Sequence, residues 1–374
     1  MPVKLLHVVG ARPNFPKLAP VFRAAAAEGL TQQIVHTGQH YDADLSASFF
    51  GDLAIPAPDV NLSVGSGTHA QQTARVMERL EPVIGESGAD WVVVYGDVNS
   101  TVAAALVAAK LGVRLAHVEA GLRSHDRTMP EEINRIVTDR LADLLLTPSR
   151  DADAALRAEG EPESEIAFVG NVMVDTLLHS LTAARNTGFR KQLGIDDSAV
   201  IVTLHRPSNV DACDRLRSIA TALSEIAKER PVIFPAHPRT AERLAQAGTD
   251  LKGVRVLGPV AYLNMLDLME GAHAVITDSG GVQEETTVLG VPCLTLRENT
   301  ERPVTITQGT NRLVSDPTTL PGLVRRVRRS ATPTRPEGWD GHAGQRVVQA
   351  LLAHTSPKAE LLAGAPRPSP IPSR

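Results

Sequence analysis

The sequence predicts an α/β protein built from two Rossmann-like units, and three observations carry that expectation. Short runs rich in Val, Ile and Leu are apolar throughout rather than alternating, the signature of parallel strands covered on both faces. Longer, Ala-rich helical stretches separate them, as crossovers between parallel strands require. The alternation then restarts past the middle of a 374-residue chain, which exceeds the length at which one hydrophobic core stops growing.

The first strand series runs Leu5 to Val9, Gln33 to His36, Trp91 to Tyr95, Arg114 to Val118 and Leu144 to Thr147, with helices such as Ser100 to Leu111 between them. Ile166 to Val169 ends that series. A helix from Met173 through Ala184 then leads into polar Arg185 to Gly194, so the join falls near Gly170. The second series runs Val200 to Thr203, Val232 to Pro235, Val254 to Leu257, Ala274 to Thr277 and Cys293 to Leu296, with helices such as Arg215 to Glu229. After Arg335 one helix remains, Gln345 to His354, before a tail from Ser356 to Arg374 whose five prolines read as disorder. The expected organisation is therefore 1–170, 171–355 and a tail at 356–374.

Composition narrows the function classes. Hydrophobic residues make up 43% and charged residues 21%, as in globular domains. A net charge of −4, with Lys and Arg spread along the chain, offers no basic stripe for nucleic acid. Two cysteines, Cys213 and Cys293, with no C-x-x-C pair, point away from a disulfide framework or structural zinc and toward a reducing cytoplasm. Met1 leads straight into a short strand without a signal segment, and no apolar run reaches the ~18 residues a membrane span needs, so the chain reads as soluble. Asn99-Ser100-Thr101 matches a glycosylation acceptor in form but reads as a helix N-cap.

Ligands of parallel sheets bind beyond the carboxyl ends of the strands, so polar residues there are the candidates. Gly10 through Lys17 follows the first strand; glycine permits a tight turn, and Arg12 and Lys17 suit anionic oxygens. It is neither a Walker A nor a G-x-G-x-x-G loop. Asp97 ends another strand, where a cap or an acid/base role is equally open. In His117-Val118-Glu119, two-residue periodicity puts His117 and Glu119 on one side, and no third metal ligand accompanies them. Glu131 and Glu132 open a helix after Met129-Pro130, as a charged first turn or as chemistry. His205 and Arg206 follow a strand of the second unit, placed for a diphosphate. In Thr277-Asp278-Ser279-Gly280-Gly281-Val282-Gln283-Glu284-Glu285, a strand meets a glycine turn and a helix whose exposed amides can hold phosphate, and Glu285 suits a ribose diol. Arg297 and Arg302 return further guanidinium groups after Leu296.

Together these motifs resemble the non-hydrolysing UDP-N-acetylglucosamine 2-epimerase family, from Gly10 to about Val314. Gly-Ala-Arg-Pro at 10–13, Tyr-Gly-Asp at 95–97, His-Val-Glu-Ala-Gly-Leu-Arg at 117–123 and Pro-Glu-Glu-Ile-Asn-Arg at 130–135 look like its first domain. Leu-His-Arg at 204–206, Thr-Asp-Ser-Gly-Gly-Val-Gln-Glu-Glu at 277–285 and Thr-Glu-Arg-Pro at 300–303 look like its second. The resemblance implies a GT-B fold, two Rossmann-like domains facing a cleft, with the last helix crossing back to the first domain. It implies a homodimer, no metal and no cofactor. It places UDP and its diphosphate on Arg12, Lys17, His205, Ser279, Gly280, Gly281, Glu285 and Arg302, with His205 beside the diphosphate. The acid/base set it implies is Asp97, Glu119 and Glu131. The implied chemistry is UDP elimination across C1 and C2 to 2-acetamidoglucal, then re-addition with a proton on the opposite face.

The first loop departs from the family by reading Arg-Pro-Asn where many members read Arg-Pro-Glu, and Tyr-Asp-Ala-Asp follows Gln39-His40. The second departure weakens any carry-over of the bacterial allosteric substrate site. Rival readings keep UDP and change the chemistry. They are a 2-epimerase of a diacetamido uronic acid or N-acetylfucosamine nucleotide, with Arg123 or Lys17 facing a carboxylate, a hydrolysing 2-epimerase, a GT-B glycosyltransferase and a nucleotide-sugar sensor.

Overall fold

The computed structural model describes residues 2–39, 51, 53–329 and 335–355, with only the backbone of Arg12. The expected disordered tail and the Tyr41 to Asp44 segment lie outside these residues. Seven strands form the first sheet: β1 Lys4–Val9, β2 Thr31–His36, β3 Val60–Asn61, β4 Trp91–Tyr95, β5 Arg114–Val118, β6 Leu144–Thr147 and β7 Ile166–Phe168. Six form the second: β8 Val200–Thr203, β9 Val232–Pro235, β10 Val254–Leu257, β11 Ala274–Thr277, β12 Cys293–Thr295 and β13 Asn311–Leu313. Every pairing is parallel. The orders are β3-β2-β1-β4-β5-β6-β7 and β10-β9-β8-β11-β12-β13, so each sheet reverses direction once, between β1 and β4 and between β8 and β11. Those reversals are where an open parallel sheet leaves a crevice for ligand. The molecule has the GT-B fold, an α/β arrangement of two such sheets.

Apolar content explains the strands. In β1, Leu5, Leu6, Val8 and Val9 are buried, and His7 is the polar residue among them. His7 has its Nδ1 2.7 Å from the Tyr95 hydroxyl and its Nε2 3.0 Å from Gln32 Oε1. Burial pushes its pKa down to about 4, so the sheet interior carries a neutral ring rather than an unpaired cation.

Six helices position the site: α1 Phe15–Ala27, α2 Asn99–Leu111, α3 Pro130–Leu141, α4 Val172–Thr187, α5 Gly280–Leu289 and α6 Ala343–Ala353. The expected Asn99 N-cap is corrected: α2 starts at Asn99 with Val98 as its cap, and the Asn99 amide donates instead to Gln72 Oε1 at 2.9 Å. The polar stretch after Ala184 is not a plain loop. α4 continues to Thr187, Gly188 turns the chain with φ 56°, and Phe189–Gln192 adds one more helical turn.

α4 leads from the first sheet toward the second, and α6 returns. Thr176 Oγ1 donates to Pro16 O at 2.5 Å, Trp339 Nε1 to Pro148 O at 3.0 Å, and Trp91 Nε1 to Thr355 Oγ1 at 3.0 Å. The backbone N–H of Gly344, in the first turn of α6, donates to Asp175 Oδ2 of α4 at 2.8 Å. α6 crosses α1 so closely that a Cβ at Gly344 would lie 2.6 Å from Pro20 O. Gly344→Ala is therefore expected to cost ~1–3 kcal/mol by overpacking the crossing. Urea unfolding reads this, and an unchanged midpoint would mean that the two helices separate freely.

Candidate active site

The first loop is folded by Asn14, whose Oδ1 accepts from the backbone N–H groups of Gly10 and Ala11, each at 3.0 Å, while its Nδ2 donates to Tyr95 O at 2.8 Å. The residue that departs from the Arg-Pro-Glu wording thus braces β1 against β4. A side chain at Gly10 would overlap Ser100 Oγ, so glycine is required there. Arg12 lies in the 3-10 turn Arg12–Asn14 that this brace forms, and its side chain is outside the described residues.

Beyond β5 the chain does something its residue pattern does not announce. Glu119 adopts φ 76°, a left-handed conformation uncommon for a residue with a side chain, and its N–H and that of Ala120 both donate to Leu146 O, at 3.0 and 3.1 Å. This overturns the expectation that His117 and Glu119 share a side, because the turn ends the two-residue alternation. The His117 ring nitrogens face Asp139 Oδ1 at 2.6 Å and Gly96 O at 2.8 Å, inside the protein. The Glu119 carboxylate instead leaves the sheet toward the cleft. Its Oε1 accepts from Arg302 Nη2 at 2.6 Å and its Oε2 pairs with Lys17 Nζ.

Arg302 belongs to the second unit, so this ion pair joins the two. Its Nη1 is bonded to Glu301 and its Nε lies 2.8 Å from Glu284 Oε1. A Cβ at Gly280, the first residue of α5, would overlap the Arg302 guanidinium. Glycine there lets the guanidinium lie against the start of that helix. Burial opposes charge on Arg302, but Glu284, Glu301, Glu119 and Asp97 outweigh it and hold its pKa well above the ordinary value. Burial would likewise raise Glu301, yet Arg302, Arg297 and Arg206 hold it well below the usual carboxylate range. Burial dominates at Glu284, despite Arg302, and pushes it up to about 7.

Asp97 sits just past β4, a quarter exposed, paired through Oδ2 with Arg135 Nη1. Arg135 is anchored by Glu132, through Nε at 2.9 Å and Nη2 at 2.6 Å, and Asn134 Nδ2 donates to Asp97 O at 2.9 Å. Glu132 is thereby a brace, also accepting from the backbone N–H groups of Ser124 at 3.0 Å and His125 at 2.8 Å. Glu131, its half-buried neighbour, projects a field that reaches Arg206 of the second unit.

In the second unit, Asp278 is fully buried and organises the loop after β8. Its carboxylate accepts from the backbone N–H groups of His205 at 3.1 Å and Arg206 at 3.0 Å, and lies 2.9 Å from His205 Nδ1. Burial would raise Asp278, but His205 and Asn209 hold it below its ordinary range. The His205 ring is mostly exposed, held by one nitrogen. Ser279 precedes α5 and its N–H donates to Thr277 Oγ1 at 3.0 Å, while Gly280 and Gly281 open the helix, whose first turn has no acidic residue and no side-chain cap, leaving their amides available to an anion. Glu285 lies deeper in the helix, its Oε1 accepting from the Tyr262 hydroxyl at 3.1 Å, and burial pushes it up to about 8.

The structure thus gathers Lys17, Glu119, Asp97, Arg302 and Gly280 into one charged cluster, and the charge of Glu131 acts on Arg206 across the two units. His205 and Glu285 stand on separate supports, Asp278 and Tyr262. Arg135, Asp278, Glu284 and Glu301 were missed as site residues, although each lies within a motif already singled out. Among the described residues, no group of three or more His, Cys, Asp or Glu is arranged to hold a metal ion. None of their helices is long and apolar enough to cross a membrane. A separate groove of about 470 Å³ between α1, α4 and α6 is lined by Arg23, Asp175 and His179 but by none of the cleft residues, so the chemistry is assigned to the cleft.

Comparison with known proteins agrees with this geometry. The model of the UDP-N-acetylglucosamine 2-epimerase family matches residues 23–352. The UDP-N-acetylglucosamine 2-epimerase of Methanocaldococcus jannaschii is 42% identical over 364 residues, covering 93% of this chain and 99% of that protein. The UDP-2,3-diacetamido-2,3-dideoxy-D-glucuronate 2-epimerase of Pseudomonas aeruginosa is 45% identical over 317 residues, covering 83% of this chain and 88% of that one. The crystal structure of the M. jannaschii enzyme in complex with UDP-GlcNAc and UDP superposes with a TM-score of 0.86 at 40% identity, covering 94% of this chain and 100% of that one.

Proposed function

The chain belongs to the UDP-N-acetylglucosamine 2-epimerase family, and we propose that it interconverts UDP-N-acetylglucosamine and UDP-N-acetylmannosamine by eliminating and re-adding UDP. The observation that carries this reading is the Glu119–Arg302 contact at 2.6 Å, which sets carboxylates from the first sheet against a cation at the helix start of the second. A diphosphate on the amides of Gly280 and Gly281, with Ser279, Arg302 and His205 beside it, would set the sugar C1–C2 bond toward Asp97, Glu119 and Glu131. The family resemblance adds Arg12, whose backbone lies in the 3-10 turn after β1, to the groups proposed for the same anion.

The C2 hydrogen has no adjacent carbonyl and is hardly acidic until C1 gains oxocarbenium character. Departure of UDP therefore leads, helped by preorganised donors worth ~3 kcal/mol each. A carboxylate then removes the C2 proton, giving 2-acetamidoglucal. Inversion requires the returning proton to come from the opposite face, so two carboxylates in different surroundings are needed. Asp97, held by Arg135, and Glu119, held by Lys17 and Arg302, meet that requirement with Glu131 nearby. This route uses neither metal nor nicotinamide.

The choice of a neutral sugar is supported by Arg123. Its guanidinium is committed to Glu159, at 2.7 and 2.8 Å, and to Asp139 at 2.7 Å, so it is not offered to a substrate carboxylate. We further propose a homodimer, a cytoplasmic location and a functional division near Gly170, with acid/base groups before it and UDP-binding groups after it.

NMR of the purified protein with UDP-N-acetylglucosamine in deuterated buffer tests the reading. The expected product is a manno-type nucleotide sugar with deuterium at C2. Free UDP with reducing N-acetylmannosamine, or no conversion despite bound UDP, would replace it.

A further inference from the structure

Each nitrogen of the Arg302 guanidinium faces a carboxylate: Nη2 faces Glu119, Nη1 Glu301 and Nε Glu284. These carboxylates crowd all three nitrogens of the guanidinium, so a diphosphate that takes Arg302 as a bidentate partner competes with them for its N–H donors. The three are not equivalent. Glu119 keeps Lys17, and Glu301 keeps Arg297 at 2.6 Å and Arg206 at 3.9 Å. Glu284 has Arg302 as its only ion-pair partner among the described residues, is almost fully buried, and its Oε2 has no hydrogen-bond partner there. A buried carboxylate that loses its ion-pair partner is driven toward its protonated form.

We propose that Glu284 is a positioning residue that takes up a proton when a nucleoside diphosphate engages Arg302, freeing the guanidinium to turn from carboxylate to phosphate. The proton comes from solvent and ends on a Glu284 carboxyl oxygen; no other bond changes. The inference rests on the proposed nucleoside-diphosphate reading of this cleft. The charged groups facing Glu284 are Glu285 on its own helix, Glu301 and Arg302 on the loop after β12, Glu119 after β5 and Lys17 on α1. Asp97 acts on the same cation from the end of β4. Burial pushes Glu284 up to about 7 against the pull of Arg302, so pH 8 lies on the ionised side of that value and is where uptake is sought.

The test is calorimetric titration of UDP at pH 8 in two buffers of different ionisation enthalpy, on the wild type and on Glu284→Gln. The wild type is expected to take up about one proton more per UDP bound than the variant. Its UDP affinity should fall up to tenfold per pH unit above 7 relative to the variant's, a pH profile that a merely structural role would not produce. Infrared difference spectra of the wild type should show protonated carboxyl gained on UDP binding, a measurement that stands even if the variant does not fold. UDP binding with equal proton uptake in both proteins, or without carboxyl protonation in the wild type, overturns the coupling alone. Failure of the wild type to bind UDP overturns the site reading as well.

Discussion

Asp97→Asn is expected to lower kcat by ~10²- to 10⁴-fold, the usual worth of a positioned acid/base group, while leaving UDP affinity within a few-fold of wild type. The side chain keeps its shape, so the position beyond β4 and the bond from Asn134 to the Asp97 carbonyl survive. What is lost is the ability to take or give a proton and the ion pair to Arg135. Arg135 stays anchored by two bonds to Glu132, which separates this substitution from a general collapse of the first-unit wall. The groups proposed to bind UDP at the start of α5 belong to the other unit and are untouched. Turnover and UDP binding measured on one preparation decide the matter. A wild-type rate would remove Asp97 from the acid/base set, and joint loss of rate and UDP binding would make it structural.

The fold was readable because parallel strands buried on both faces must be apolar throughout. Trp91 to Tyr95 and Val200 to Thr203 could be located to the residue on that basis. β13, the tripeptide Asn311-Arg312-Leu313, could not, since it contains one apolar residue and is held by its parallel pairing with β12. The candidate site was readable to the extent that polar residues at strand ends mark it, which singled out Asp97, Glu119, His205 and Ser279. Its wiring was not. The left-handed turn at Glu119 depends on two amides meeting Leu146 O, and the bond from Glu119 to Arg302 spans 183 residues of sequence. No local pattern encodes either. The same holds for Asp278, a motif residue whose support of His205 appears only when β8 and β11 lie side by side.

Arg302→Met should have the other large effect, and it should depend on pH. Methionine approximates the volume but leaves Glu119, Glu284 and Glu301 converging on an apolar side chain, a broken buried ion pair that costs ~3–5 kcal/mol. The sign of the pH dependence follows from Glu284. Burial already raises its folded pKa in the wild type to about 7, and without Arg302 it is driven further toward its neutral form, so its ionisation opposes the native state more as pH rises from 5 to 8. Glu301, whose folded pKa is depressed, contributes stability that is present above the ordinary carboxylate pKa, so the loss of that contribution weighs alike at both pH values. A carboxylate with a raised folded pKa favours the native state least at high pH. The stability gap between wild type and variant should therefore be wider at pH 8 than at pH 5. Arg302→Lys should not recover UDP binding, because a point-charge ammonium cannot give the bidentate phosphate grip of a guanidinium. Chemical unfolding at the two pH values, with UDP titrations alongside, reads both parts. A gap that does not change with pH would mean that these carboxylates find other cations when Arg302 is gone, and that the guanidinium is not the group holding their charge.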